Sequence, residues 1–278
     1  MQTFVDKARN IFAEGEVYDM KNIICIILFA FLIIFLQTHN QILVILWLLV
    51  SILLVKLDNT LKSFIITVLF FGIGFSLYLF IINILLVEIE IKELSILLSR
   101  LSLIIILLPM LLFSLFSHTK FNNYWNKPKW NETIFFPFIW SGIHSTKVST
   151  FLIIAFTTNI LIFIPLIILK GGAFFQDIWL VALVFSLTNA FFEEIIWRGT
   201  LLTRFSEQLG EKYAVIATSI GFGLQHYSLG FSWILCIVFS FGGFYYGGIS
   251  VKSKSIFLSI IWHLILNLLM VFSGLILT

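Results

Sequence analysis

The sequence predicts an all-α fold, a polytopic transmembrane bundle of about eight or nine spans. Three observations carry that expectation. The 278 residues are 60% hydrophobic and only 11% charged, too little charge to cover a water-soluble domain. Apolar stretches recur at lengths that cross a hydrocarbon core of roughly 30 Å. Only four prolines interrupt them, so the runs can be helical throughout.

In chain order, residues 2–18 place Phe4, Ala8, Ile11 and Phe12 at helical spacing, as in an amphipathic helix lying on a leaflet. The first apolar run follows without a small-residue cleavage pattern, so it is expected to remain as an anchor. Apolar spans are expected at 22–37, 41–57, 63–87, 94–117, 148–169, 177–203, 212–228, 231–250 and 255–276. The spans at 41–57 and 212–228 are short, and one of them could be re-entrant. Pro109 and Pro165 lie inside spans and are candidate kinks. Gly242, Gly243, Gly247 and Gly248 suggest close helix packing in the eighth span.

With the N-terminus inside, the inner segments collect Lys7, Arg9, Lys21, Lys56, Lys62, Lys120, Lys127, Lys129, Lys147, Arg204, Lys212, Lys252 and Lys254. The outer side and span interiors hold Lys92, Arg100, Lys170 and Arg198, and an acidic outer loop holds Glu88, Glu90 and Glu93. This bias predicts a cytoplasmic N-terminus and an external C-terminus. The 118–147 segment mixes Lys with Trp125, Trp130 and Trp140 and reads as an interfacial linker. His39, His118 and His144 fall in loops and read as surface residues. Cys25 and Cys236 lie within apolar runs and read as buried thiols, not a disulfide framework. The basic residues form no patch of the kind nucleic acid requires. The division expected is an N-terminal membrane region, 1–147, and a catalytic membrane region, 148–278.

Polar residues concentrate in the later spans. An ionisable group at the bilayer centre costs a few kcal/mol, which makes each of these a functional candidate. Glu194 lies ten residues from Arg204, His226 fourteen from Lys212, and His263 and Asn267 nine and thirteen from Lys254. At about 1.5 Å per residue, all fall roughly 14–21 Å deep, near mid-membrane. Glu194 and Arg198 are four apart and can pair on one helical face. Glu193 is rotated by about 100° and is left to face a cavity. His263 and Asn267 are also four apart, and Phe222 lies four before His226, placed to wall the same pocket. A carboxylate beside an imidazole can hold and deprotonate a water. A second imidazole and an amide can stabilise an oxyanion. Together these are parts for hydrolysing an amide bond.

EEIIWR fits the pattern EExxxR, FGLQH fits FxxxH and HLILN fits HxxxN, in that order on successive spans. The set resembles the CPBP family of CAAX prenyl proteases and bacteriocin-processing enzymes, also called Abi, over about residues 177–276. The resemblance implies an intramembrane endopeptidase whose cavity opens to the cytoplasm. In it, Glu193 and His226 activate water, and His263 with Asn267 forms the oxyanion hole. Glu194, Arg198 and Phe222 support them. The implied partners are the lipid bilayer and a peptide or lipidated protein substrate: a prenylated protein, a pheromone or a bacteriocin leader. The expected mechanism needs no metal. A zinc alternative would draw on Glu193, His226 and His263, although the HExxH helix is absent. A non-catalytic membrane partner, including one conferring bacteriocin immunity, is the second reading. A transporter is the third, and it lacks the paired broken helices of common carriers.

Overall fold

The computed structural model describes residues 2–277; the side chains of residues 2–18 and of Lys92 are outside that description. The fold is an all-α bundle with one small hairpin. Its helices are α1 (Gln2–Gln37), α2 (Gln41–Leu57), α3 (Lys62–Phe80), α4 (Lys92–Leu101), α5 (Ile104–Phe116), α6 (Val148–Glu194), α7 (Leu202–Leu209), α8 (Glu211–Gln225), α9 (Trp233–Ser253) and α10 (Phe257–Phe272). Strands β1 (Thr133–Pro137) and β2 (Gly142–Lys147) pair antiparallel. The face expected for Phe4, Ala8, Ile11 and Phe12 lies outside the described residues.

Among the described residues, five helical stretches are long and apolar enough to cross a membrane, and α2 and α10 are shorter apolar helices. The packing of α1 explains why the sequence is greasy all round. Cys25, Leu28, Phe29, Leu32 and Ile33 are buried at helical spacing, whereas Met20, Ile23, Ile27 and Phe31 are apolar yet exposed. The second stripe suits lipid, which solvates Ile and Phe as well as a protein core does. Inside, Phe29 and Phe71 pack against the Trp197 ring at 6.3 and 5.5 Å between centroids. One core therefore joins the N-terminal helices to the segment that carries the polar motifs.

Contacts sort the connections into two ends. At the basic end, Tyr213 donates to Asp19 (2.6 Å), Gln208 donates to Ser63 and Thr67, Lys254 pairs with Glu211 (2.6 Å), and Lys21 reaches Thr60. At the far end, the Ser228 amide donates to Gln37 (2.7 Å), and Gly274 lies against Lys170. Both short spans run from one end of the bundle to the other. For α8, fifteen α-helical residues and the four-residue 3-10 turn His226–Leu229 add up to roughly 30 Å.

Four other expectations change. The 94–117 span is present as one apolar stretch, Glu93–Phe116, but it is built of two helices, α4 and α5, separated by Ser102 and Leu103. The long α6 breaks at Gly171 (φ 80°, ψ 168°), inside the gap expected between the spans at 148–169 and 177–203 and not at the candidate kink Pro165, because only glycine takes that conformation without strain. Its halves, 148–170 and 172–194, both pack on α10: Phe151 and Phe156 meet Trp262, and Ala182 and Phe185 cluster with Val271. The 118–147 segment is a built cover, not a plain linker. Ile134 and Ile139 of the hairpin region are fully buried, and backbone bonds tie Lys129 to Ser253 and Tyr124 to Ile256. Trp125 and Trp130 stay about half exposed. Gly243, Gly247 and Gly248 pack closely against neighbours, but Gly242 meets nothing within 4 Å and lines a cavity instead. His39, His118 and His144 are exposed, the last on β2, and both cysteines are buried and free.

Candidate active site

The polar motifs meet at a cavity of about 810 Å³ walled by α4, both halves of α6, α8, α9 and α10. Glu193, Phe222, His226, His263 and Asn267 all line it. Glu194 and Arg198 sit behind that wall, both fully buried.

Glu193 and Glu194 are the last two residues of α6, and a π-helical turn, Ile195–Leu201, carries the chain onward. Arg198 Nη1 donates to Glu194 Oε1 at 2.8 Å, and its Nη2 donates to the Gly243 carbonyl at 3.1 Å. The guanidinium also stands over the Phe222 and Tyr246 rings, 4.4 and 5.2 Å from their centroids. A buried charge needs such company, because removing one partner strands the other in low dielectric. His263 Nδ1 donates to the same Glu194 oxygen at 2.9 Å, and its ring stacks on Tyr246 at 5.2 Å. The expected pairing of Arg198 with Glu194 is therefore present, and it orients His263 as well.

Glu193 is left free on one side. Gln225 Nε2 donates to its Oε1 at 3.1 Å, while Oε2 has no hydrogen-bond partner and lies 3.7 Å from His263 Nε2. His226 opens the 3-10 turn after α8, and its Nδ1 donates to the Phe222 carbonyl at 2.7 Å. That bond fixes the tautomer of the neutral ring, so Nε2 carries the lone pair. Phe239 stacks on the ring at 4.1 Å. Asn267 Nδ2, one turn along α10 from His263, is buried without an acceptor. Among the described residues, no direct hydrogen bond or ion pair joins Glu193 to His226; the cavity and the Phe222 ring lie against both imidazoles.

The helices approach closely enough to bring these groups together because α8 carries glycine at the crossing. A Cβ on Gly223 would lie 2.3 Å from the Cys236 carbonyl oxygen. On metal binding, no group of three His, Cys, Asp or Glu side chains among the described residues is arranged to hold an ion.

Residues 175–269 match the family model described as type II CAAX prenyl endopeptidase Rce1-like. The chain resembles that family over this segment. The segment covers about a third of the chain and contains all three motifs, so the resemblance drawn from them is borne out over that stretch. Neither the curated proteins nor the solved structures gave a match.

Three participants escaped the sequence reading. Gln225 precedes His226 directly, and a polar residue inside FGLQH was a usable signal. Asn189 stands four before Glu193 on the same face, which was also legible. Arg100 was not, since its partner Asn189 is 89 residues away. The reach of the cavity was not legible either. Its lining reaches Ser95, Leu229, Phe231 and Leu277 at the far end and includes no described residue of the basic-end connections. The 118–147 cover packs at the basic end, where the Asn123 amide donates to Thr203 and Tyr124 meets Ser206.

Proposed function

We propose that this protein is an intramembrane endopeptidase that hydrolyses a peptide bond with a water activated by Glu193. The observation that carries the reading is the unpartnered Glu193 Oε2 facing a membrane-depth cavity, inside the Rce1-like segment. Glu193 takes a proton from water as the water oxygen bonds to the scissile carbonyl carbon. The carbonyl electron pair moves onto its oxygen, where Asn267 Nδ2–H and the His263 ring receive it. Collapse breaks the C–N bond, and the proton on Glu193 passes to the leaving amine. His226 accepts the second hydrogen of the water through Nε2 and so holds it in line. Glu194 and Arg198 act through His263 as positioning residues. The catalytic unit is residues 148–278, and residues 1–147 complete its walls. The basic end faces the cytoplasm, by the distribution of Lys and Arg.

The mechanism uses no metal. Purified protein in lipid nanodiscs, incubated with a library of membrane-proximal peptides, some prenylated, should release fragments detectable by mass spectrometry. A chelator should leave the yield unchanged. Loss of all cutting on chelation, restored by zinc, would transfer water activation to a metal. No fragment from any peptide would remove the hydrolase reading.

A further inference from the structure

Arg100 is a buried cation, 6% exposed, in the wall of the cavity, and among the described residues it has no carboxylate within ion-pair distance. Its contacts are all neutral: Nη1 donates to Asn189 Oδ1 at 2.8 Å, and Nη2 donates to Ser99 Oγ at 3.0 Å and to Tyr78 Oη at 3.4 Å. Three of the five N–H groups of a guanidinium are thereby used. Desolvating an unpaired charge is expensive, and the usual solution is an anion. Glu193 faces the same cavity but makes no ion pair with Arg100.

We propose that Arg100 is the binding site for a carboxylate of the substrate. Asn189 and Glu193 are four apart on α6, so the residue that steadies Arg100 lies one turn, about 5–6 Å, from the proposed base. Extended peptide advances roughly 3.3 Å per residue, so a carboxylate held there sits within a few residues of the bond at Glu193. The same cavity holds Asn159, whose Nδ2 is buried with no acceptor, a further donor free for the end of a peptide. Arg100 lies outside the Rce1-like segment, so this feature is contributed by the N-terminal region. The inference rests on the peptide-hydrolase reading for its substrate, but its test does not depend on cleavage.

The full-length Glu193→Gln protein in nanodiscs should be titrated with one fluorophore-labelled apolar tetrapeptide in three forms. One ends in a free acid, one in an amide, and one is the amide with aspartate at the penultimate position. A carboxylate form should bind at least about tenfold more tightly than the plain amide. Which form gains identifies a terminal or a side-chain carboxylate as the ligand. Arg100→Gln should erase the gap, and Arg100→Lys should keep part of it. Equal affinity for all three forms in the protein that retains Arg100, including no measurable binding of any, overturns the proposal without a variant at that position. A gap that survives in folded Arg100→Gln also overturns it. If unsubstituted protein cuts none of the peptides yet the gap is present, the hydrolase reading fails and the carboxylate site stands.

Discussion

At the scale of single residues, the two adjacent glutamates do different work because a helix turns about 100° between them. Glu194 is enclosed: one oxygen serves both Arg198 and His263, at 2.8 and 2.9 Å. Glu193 is steadied by Gln225 and otherwise open to the cavity. The consequence for stability is asymmetric. Glu194→Gln leaves Arg198 buried without its charge partner, and breaking such a pair costs about 3–5 kcal/mol. Thermal unfolding in detergent should show Glu194→Gln as strongly destabilised. Glu193→Gln loses no ion pair with an arginine and should unfold close to the parent temperature. Equal melting of the two variants would contradict the division.

Between elements, the crossing of α8 and α9 sets the shape of the site. Gly223 allows α8 to touch the α9 backbone at Cys236, whereas Gly242 on α9 faces open space. Gly223→Ala should push the helices apart, lower the melting temperature and reduce any cleavage, while Gly242→Ala should leave stability unchanged. Melting curves of the pair decide it; a harmless Gly223→Ala would mean the crossing is not tight. These elements were unevenly legible. The spans and motifs could be read because Glu, His and Asn stand out in apolar helices. The π-helical turn after Glu194 has no sequence signature. The hairpin hid because Thr-Ile-Phe-Phe-Pro, beside tryptophans and lysines, has the composition of a headgroup-layer linker. The break at Gly171 falls in the gap left between the spans at 148–169 and 177–203, so its place was legible although its residue was not.

For the whole molecule, charge distribution and cavity direction are separate facts. The basic connections gather at one end, and the cavity reaches toward the other. Composition alone gives the first, through the positive-inside bias. It cannot give the second, which depends on how α4, α6, α8, α9 and α10 pack around the cavity. Orientation is testable because both native cysteines are buried. A membrane-impermeant maleimide should label Glu90→Cys in intact cells, and Lys127→Cys only after the cells are opened. The reverse pattern would invert the protein and place the far end of the cavity lining on the cytoplasmic side.

Whichever way the molecule faces, its proposed activity depends on one carboxylate. The decisive measurement is the rate of fragment release by parent and Glu193→Gln proteins, both shown folded, on one peptide in water enriched in oxygen-18. The parent should place a single heavy oxygen in the new C-terminus during each hydrolysis, and the variant should be slower by about 10²–10⁴-fold. A Glu193→Gln protein that cuts as fast as the parent would contradict the assignment of Glu193 as the base.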